Sequence, residues 1–273
     1  MAGPRASLVL FVGLLISLPA FPEAPPKVLE TTDVSGEKRF TLPIAAGSKL
    51  EVKGVFGEVE VLRAEGNEAV VEIARQSPGS EPRVVLLRHD QGYTLCVLHT
   101  SPNPKKPNEC VPRRKGRMQQ GIRKDWPRVH FTVRLPDGVD FMALLFGDRM
   151  AARAGARDLD LEMQSGEVFL HDKGSRHIQV ETGGNIEATL SDKTWLPEVR
   201  VVKLDANGGN INVVIPESLP IGYTIDSWQP VKSAFEVETK DGMMRGTAGP
   251  EGERAMRIIL HNALLGRITI RHP

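Results

Sequence analysis

Cysteine is nearly absent from this chain, with only Cys96 and Cys110 among 273 residues. Two thiols without a flanking histidine pair do not make a complete zinc ligand set, so no metal is expected. Aromatic residues are also scarce, at 5%. Base-stacking surfaces and sugar clefts usually display several rings, which counts against nucleic acid as a partner. Neither sign of charge is in excess, the net being +1, so no whole-molecule field favours a polyanion or an anionic membrane. Sustained helical periodicity is missing throughout, as are the G-x-S-x-G, H-E-x-x-H, phosphate-loop and dinucleotide fingerprints. Ser165-Gly166 superficially resembles a nucleophile turn, but it lacks the earlier glycine and a following helix.

Only one long apolar run exists. Arg5 precedes the uncharged stretch Ala6–Phe21, and Pro19 and Ala20 lead into polar, proline-rich sequence. This layout predicts a secretory signal peptide over residues 1–24, cut after Ala20 or Ala24. The run is short for a membrane span, which needs about 20 residues, so no transmembrane span is expected in the mature chain. The leader has no cysteine, which excludes a lipid-modified lipoprotein signal. The expected location is the periplasm, the cell envelope or the medium. In that compartment an even cysteine count fits a Cys96–Cys110 disulfide, two unpaired thiols being the alternative. The enclosed segment is rich in Pro, Asn and Lys, and closing such a loop of about 15 residues adds roughly 3 kcal/mol.

A linker is expected over residues 25–37 and one β domain over 38–273. Alternation of apolar and polar residues begins at Lys38: Val59 and Val61 share a face, as do Val71 and Ile73. VVLLRHDQGYTLCVLHT reads as a hairpin turning at Asp90-Gln91-Gly92. Prolines and positive charge break the pattern over about 102–128. From Leu159 a repeat emerges of strand, glycine corner and strand. Leu159, Leu161, Met163, Val168, Leu170, Ile178, Val180, Ile186, Leu190, Val202, Leu204, Ile211, Val213 and Ile215 are expected to point inward. Glu162, Glu167, Gln179, Glu181, Glu187, Lys203, Asn210 and Asn212 are expected to point outward. One strand pair cannot bury its apolar face alone, whereas stacked pairs bury a continuous strip. Glycine suits the corners because a positive φ costs other residues roughly 1–2 kcal/mol. The predicted fold class is therefore an all-β solenoid or β-roll of stacked short strands, with an antiparallel β-sandwich as the alternative.

The segments GSKLEVKGVFGEVEVLRAEGNEAVVEI and FTVRLPDGVDF, the repeated glycine corners and the closing LLGRITI resemble the domain-of-unknown-function family labelled "putative adhesin". That family is common in bacterial envelope proteins and is similar to head domains of some auto-transporter adhesins. The resemblance runs from about Leu42 to Arg271. It implies a solenoid-like fold, no established enzymatic activity and a role in surface or envelope contacts; no cofactor is expected. The basic insertion departs from the family pattern.

Three residue groups invite chemistry. Asp158, Asp160 and Asp172, with His171 beside the last, could serve a polysaccharide-active β-helix enzyme, which needs two carboxyls about 5–9 Å apart. Solvated corner carboxylates that discourage edge pairing read the same way in sequence. Asp205, Asn207, Asn210 and Asn212 are oxygen-rich, yet the calcium repeat G-G-x-G-x-D is absent, and asparagine suits tight corners. The insertion gathers Lys105, Lys106, Arg113, Arg114, Lys115, Arg117, Arg123 and Lys124 against Glu109 and Asp125, with Trp126 at its flank. It is expected to contact an unidentified envelope or surface component of polyanionic character. The function expected is thus a non-catalytic, exported, adhesin-like module, with the glycan-active enzyme as the alternative.

Overall fold

The computed structural model describes residues 26–33, 37–75, 82–101, 103–105, 107–112, 126–191, 200–217, 221–227, 229, 231–235, 238–240, 243–248, 256–262 and 266–273, with side chains undescribed at 31–33 and 238–248. The expected signal peptide lies outside the described residues. Among them every regular element is a strand, and there is no helix.

Alternation in sequence becomes alternation in burial. Strands β9 (Asp158–Met163) and β11 (His177–Thr182) bury every second residue. Every residue expected to point inward from Leu159 to Ile215 is buried. None of those expected to point outward is buried. Val59, Val61, Val71 and Ile73 join the same core. The hairpin turns at Asp90-Gln91 as expected, with His89 opposite Gly92 between β5 (Arg83–His89) and β6 (Gly92–Leu98).

Pairing through the centre is parallel. One ladder runs β6, the first half of β3 (Lys49–Arg63), the first half of β8 (Asp140–Arg153), β9, β11, β13 (Arg200–Ala206), β19 (Met256–Asn262) and β15 (Ile221–Ser227). The other runs β7 (Val129–Leu135), the second halves of β3 and β8, β10 (Glu167–His171), β12 (Ile186–Thr189), β14 (Ile211–Val214), β20 (Ile268–Arg271) and β16 (Val231–Ser233). Strands β3 and β8 belong to both ladders, so the sheet folds back around the apolar strip and nearly closes into a barrel. Parallel sheets usually have helices as crossovers on both faces. Here the crossover from one strand to its parallel neighbour is a strand of the opposite ladder, so among the described residues no helix covers the outer face. The antiparallel sandwich therefore does not describe this centre.

Antiparallel strands close the ends. β5 pairs with β6, and β1 (Lys27–Asp33) pairs with β5. β4 (Glu68–Arg75) pairs with β7, and β2 (Lys38–Pro43) with β4. At the other end β18 (Met243–Ala248) pairs with β15. One sequence expectation changes, and one strand takes a place that the sequence did not indicate. Residues 25–37 are not simply a linker, because β1 finds an open ladder edge at β5. And the closing segment does not end the stack: β20 lies between β14 and β16, so β15 and β16 sit outside the last strands of the chain.

The positive-φ expectation holds at some corners and a second reason acts at others. Gly166 and Gly208 adopt positive φ values of 113° and 124°, but Gly184, Gly209 and Gly266 do not. A Cβ at Gly184 would lie 1.8 Å from the Gly166 carbonyl oxygen, one at Gly209 2.0 Å from that of Gly184, and one at Gly266 1.8 Å from that of Gly209. The corners form a column in which backbone stacks on backbone with no space for a side chain.

Candidate functional site

Two polar constructions stand out, one at the return corners and one beneath the disulfide loop. At the return corners, carboxylates and guanidinium groups pair across neighbouring strands. Arg157 donates to Asp140 from Nε at 2.8 Å and from Nη2 at 2.6 Å. One strand pair on, Arg176 donates to Asp158 at 3.2 and 3.0 Å, and His177 Nδ1 lies 3.0 Å from the same carboxylate. Burial works to raise the Asp158 pKa, but Arg176 and His177 outweigh it and hold the carboxyl below its usual value. A carboxyl held ionised is a poor general acid.

Asp172 is 3% exposed. It accepts from the backbone N–H groups of Gly174 at 2.9 Å, Ser175 at 2.8 Å and Ser191 at 3.1 Å, and it pairs with Arg200. Arg200 also donates to the carbonyls of Ser175 at 2.9 Å and Ser191 at 2.6 Å. This carboxylate ties corner backbone together rather than standing open to a substrate. Asp160 is half-buried opposite Met142 and Gln179 on the outer face. The asparagine corners act in the same way. The Asn185 side chain accepts from Asn210 N–H at 2.8 Å, and the Asn210 side chain from Arg267 N–H at 2.9 Å. Asp205 faces His261 Nδ1 at 3.0 Å. Ser165 donates to the Phe146 carbonyl at 3.3 Å, as a corner residue would.

The second construction is less visible in sequence. Cys96 and Cys110 form the expected disulfide, with their Cα atoms 5.6 Å apart. The loop it closes lies against the outer face of β5, β6 and β8, where Val85, Leu87, Cys96 and Leu98 make a second apolar cluster with Cys110 and Leu144. Strand alternation assigns Glu51 and Lys53 to the solvent side, yet both are buried. Lys53 Nζ lies 3.0 Å from Glu51 and donates to the Val111 carbonyl at 3.0 Å. Thr94 donates to Glu51 at 2.7 Å, and His89 Nε2 lies 3.1 Å from the Thr94 hydroxyl. Burial lowers the Lys53 pKa, with Glu51 opposing.

The insertion is pinned at both ends. His99, at its start, stacks on Trp126, at its end, with ring centroids 4.2 Å apart and planes 6° from parallel. Phe56 and Phe146 meet Trp126 edge-on, each at 6.4 Å. Asn108 Nδ2 donates to the His99 carbonyl at 2.7 Å. Trp126 is thus buried rather than part of a solvated flank. Between these pins Lys105 sits exposed in a turn held by its N–H on Asn103 Oδ1 at 3.0 Å. Lys106, Arg113, Arg114, Lys115, Arg117, Arg123 and Lys124 lie outside the described residues.

Both ring nitrogens of His99 are buried without a hydrogen-bond partner. Burial pushes its pKa down to about 4 from the ordinary 6.5. Above pH 6.5 both the folded and unfolded forms are neutral and stability does not depend on this group. Between pH 6.5 and about 4 the unfolded chain takes a proton that the folded chain refuses, so stability falls as pH falls. The full difference is at most about 3 kcal/mol. His99→Phe keeps a ring on Trp126 and removes the titration. Melting temperatures from pH 7 to pH 4.5 should fall more steeply for the parent than for this variant, and parallel falls would show that His99 does not carry the effect.

No family model matches the chain, and none of the curated proteins matches it. Among solved structures it is similar to a putative cell adhesion protein from Clostridium sporogenes, at 13% identity over 87% of this chain and 100% of that one, with a TM-score of 0.49. It is also similar to a putative adhesin from Bacteroides fragilis, at 11% identity over 88% of this chain and 98% of that one, with a TM-score of 0.25. A putative adhesin from Parabacteroides merdae is similar at 11% identity over 87% of this chain and 97% of that one, with a TM-score of 0.24.

Proposed function

We propose that this chain is an exported, non-catalytic, adhesin-like module, a β-roll of stacked strand pairs that contacts a surface or envelope component. The observation that carries the reading is the pinned insertion. Its described ends are fixed by the Cys96–Cys110 bridge and the His99–Trp126 stack, and in sequence the cationic stretch runs between Cys110 and Trp126. Anchoring a loop in this way reduces the ordering entropy lost on contact with a partner. The apolar leader and the disulfide both support export. The engagement of Asp158 and Asp172 by guanidinium groups speaks against the enzyme alternative.

The insertion is expected to meet an anionic partner weakly and in a salt-sensitive way, because exposed charges act over only about 8–10 Å at physiological salt. Retention on heparin at rising salt compares the parent with a loop variant in which Arg113, Arg114, Lys115 and Arg117 all become Ser. Earlier elution of the variant is expected. Equal retention would mean that the loop is merely solvated.

A further inference from the structure

We propose that the outer face of the second ladder binds a linear acidic polysaccharide, a polyuronate, laid across the strands along a row of arginines. This inference rests on the adhesin-like reading and names the chemistry of one partner. Strand register aligns Arg134, Leu62 and Arg153 on adjacent strands β7, β3 and β8. It also aligns His171, Thr189, Val214 and Arg271 on β10, β12, β14 and β20. The two runs join one residue beyond the last paired position of β8 and β10, Ala152 opposite Leu170. The result is a single row at right angles to the strands. It crosses six inter-strand gaps of about 4.8 Å, roughly 29 Å in all.

Arg134, Arg153, His171 and Arg271 are all exposed. The row itself contains no acidic residue, and among the described residues Arg134, Arg153 and Arg271 form no ion pair. The surface dips here into a depression of about 180 Å³ lined by Arg149, Arg153, Phe169, His171, Glu187 and Arg271, among others. Arg149 is held above the Phe169 ring at 4.7 Å, which places a further guanidinium within the same depression. Glu187 is the acid within it. Two other acids on this face are engaged, Glu58 with His130 at 3.2 Å and Glu72 with Arg39, while Glu60 lies beside the row, two residues from Leu62 on β3.

The shape and charge of the row select among partners. Guanidinium forks match planar carboxylates bidentately. A polyuronate presents such carboxylates in series along an extended chain, as the row presents cations in series. A lipid surface would need large apolar side chains standing exposed beside the cations; Leu62 and Val214 in the row are only half-exposed, and among the described residues the exposed large hydrophobics, Val28 and Leu29, lie on β1 at the end of the other ladder. Nucleic acid would call for exposed rings on which to stack, and the ring in the depression, Phe169, lies under Arg149.

The test measures binding of the mature protein to polygalacturonate at low and moderate salt. It compares the parent, the loop variant above, and a face variant in which Arg134, Arg153 and Arg271 all become Ser. All three arginines are exposed, so unchanged far-ultraviolet spectra and melting temperatures are expected and serve as the folding control. The proposal expects the face variant to bind at least tenfold more weakly while the loop variant stays close to the parent. It also expects short oligouronates, which cannot run the length of the row, to compete poorly against long ones. Equal affinity of parent and face variant overturns it, as does loss in the loop variant alone. Single-stranded DNA binding as tightly as polygalacturonate overturns the choice of partner. A parent that binds isolated envelopes but not polygalacturonate overturns this inference and leaves the adhesin-like reading standing, whereas failure to bind either removes both.

Discussion

Replacing Gly184 with alanine is expected to destabilise the protein by about 3 kcal/mol or more, among the larger effects of a single methyl group. The added Cβ would sit 1.8 Å from the Gly166 carbonyl oxygen. The obstruction is backbone, not the mobile end of a side chain, so relief requires separating two strands hydrogen-bonded along their length. Gly184 is itself covered by Gly209, whose own Cβ would meet the Gly184 carbonyl at 2.0 Å. The corner therefore has no direction in which to yield. Gly66→Ala is the control, since a Cβ there meets nothing within 4 Å, and it should change stability by a few tenths of a kcal/mol at most. Denaturant midpoints for the two variants against the parent decide the matter. Equal midpoints would mean that the column is looser than its geometry.

Asp172→Ala is expected to cost about 3–5 kcal/mol, the usual penalty for stripping one partner from a buried ion pair. Arg200 would keep its two carbonyl acceptors but lose its counter-charge while only 2% exposed. The N–H groups of Gly174, Ser175 and Ser191 would lose their acceptor at the same time. Because much of the cost lies in the stranded charge, Asp172→Ala combined with Arg200→Leu should be less harmful than the sum of the single changes. A double-mutant cycle measured by urea unfolding checks this, and strict additivity would show that the pair is not coupled. If Asp172 served catalysis instead, its replacement would remove turnover of a glycan with little loss of stability.

What the sequence revealed and what it hid follow from the range of the interactions. Period-two alternation is local, and it located the strands and the buried strip from Leu159 to Ile215. The cysteine pair was legible because the two residues lie 14 apart on either side of a loop. Burial of Glu51 and Lys53 was hidden because strand alternation reports only which face a residue is on. The covering of that face by described residues of the disulfide loop, Val111 among them, is a long-range event. Asp172 reads in sequence as a solvated corner carboxylate for the same reason, since its partner Arg200 lies 28 residues away. The place of β20 between β14 and β16 was beyond local pattern too, since LLGRITI looks like any other corner and strand. The arginine row emerged only once register put Arg134, Arg153 and Arg271 in line.

The central claim is contact without catalysis, and one experiment reads both halves together. Mature protein is incubated with isolated bacterial envelopes, pelleted at low and high salt, and the supernatant assayed for released saccharide. The account predicts saturable binding that weakens as salt rises, with no saccharide released. Saccharide release that disappears in Asp160→Asn, or an absence of binding at any salt, would contradict it.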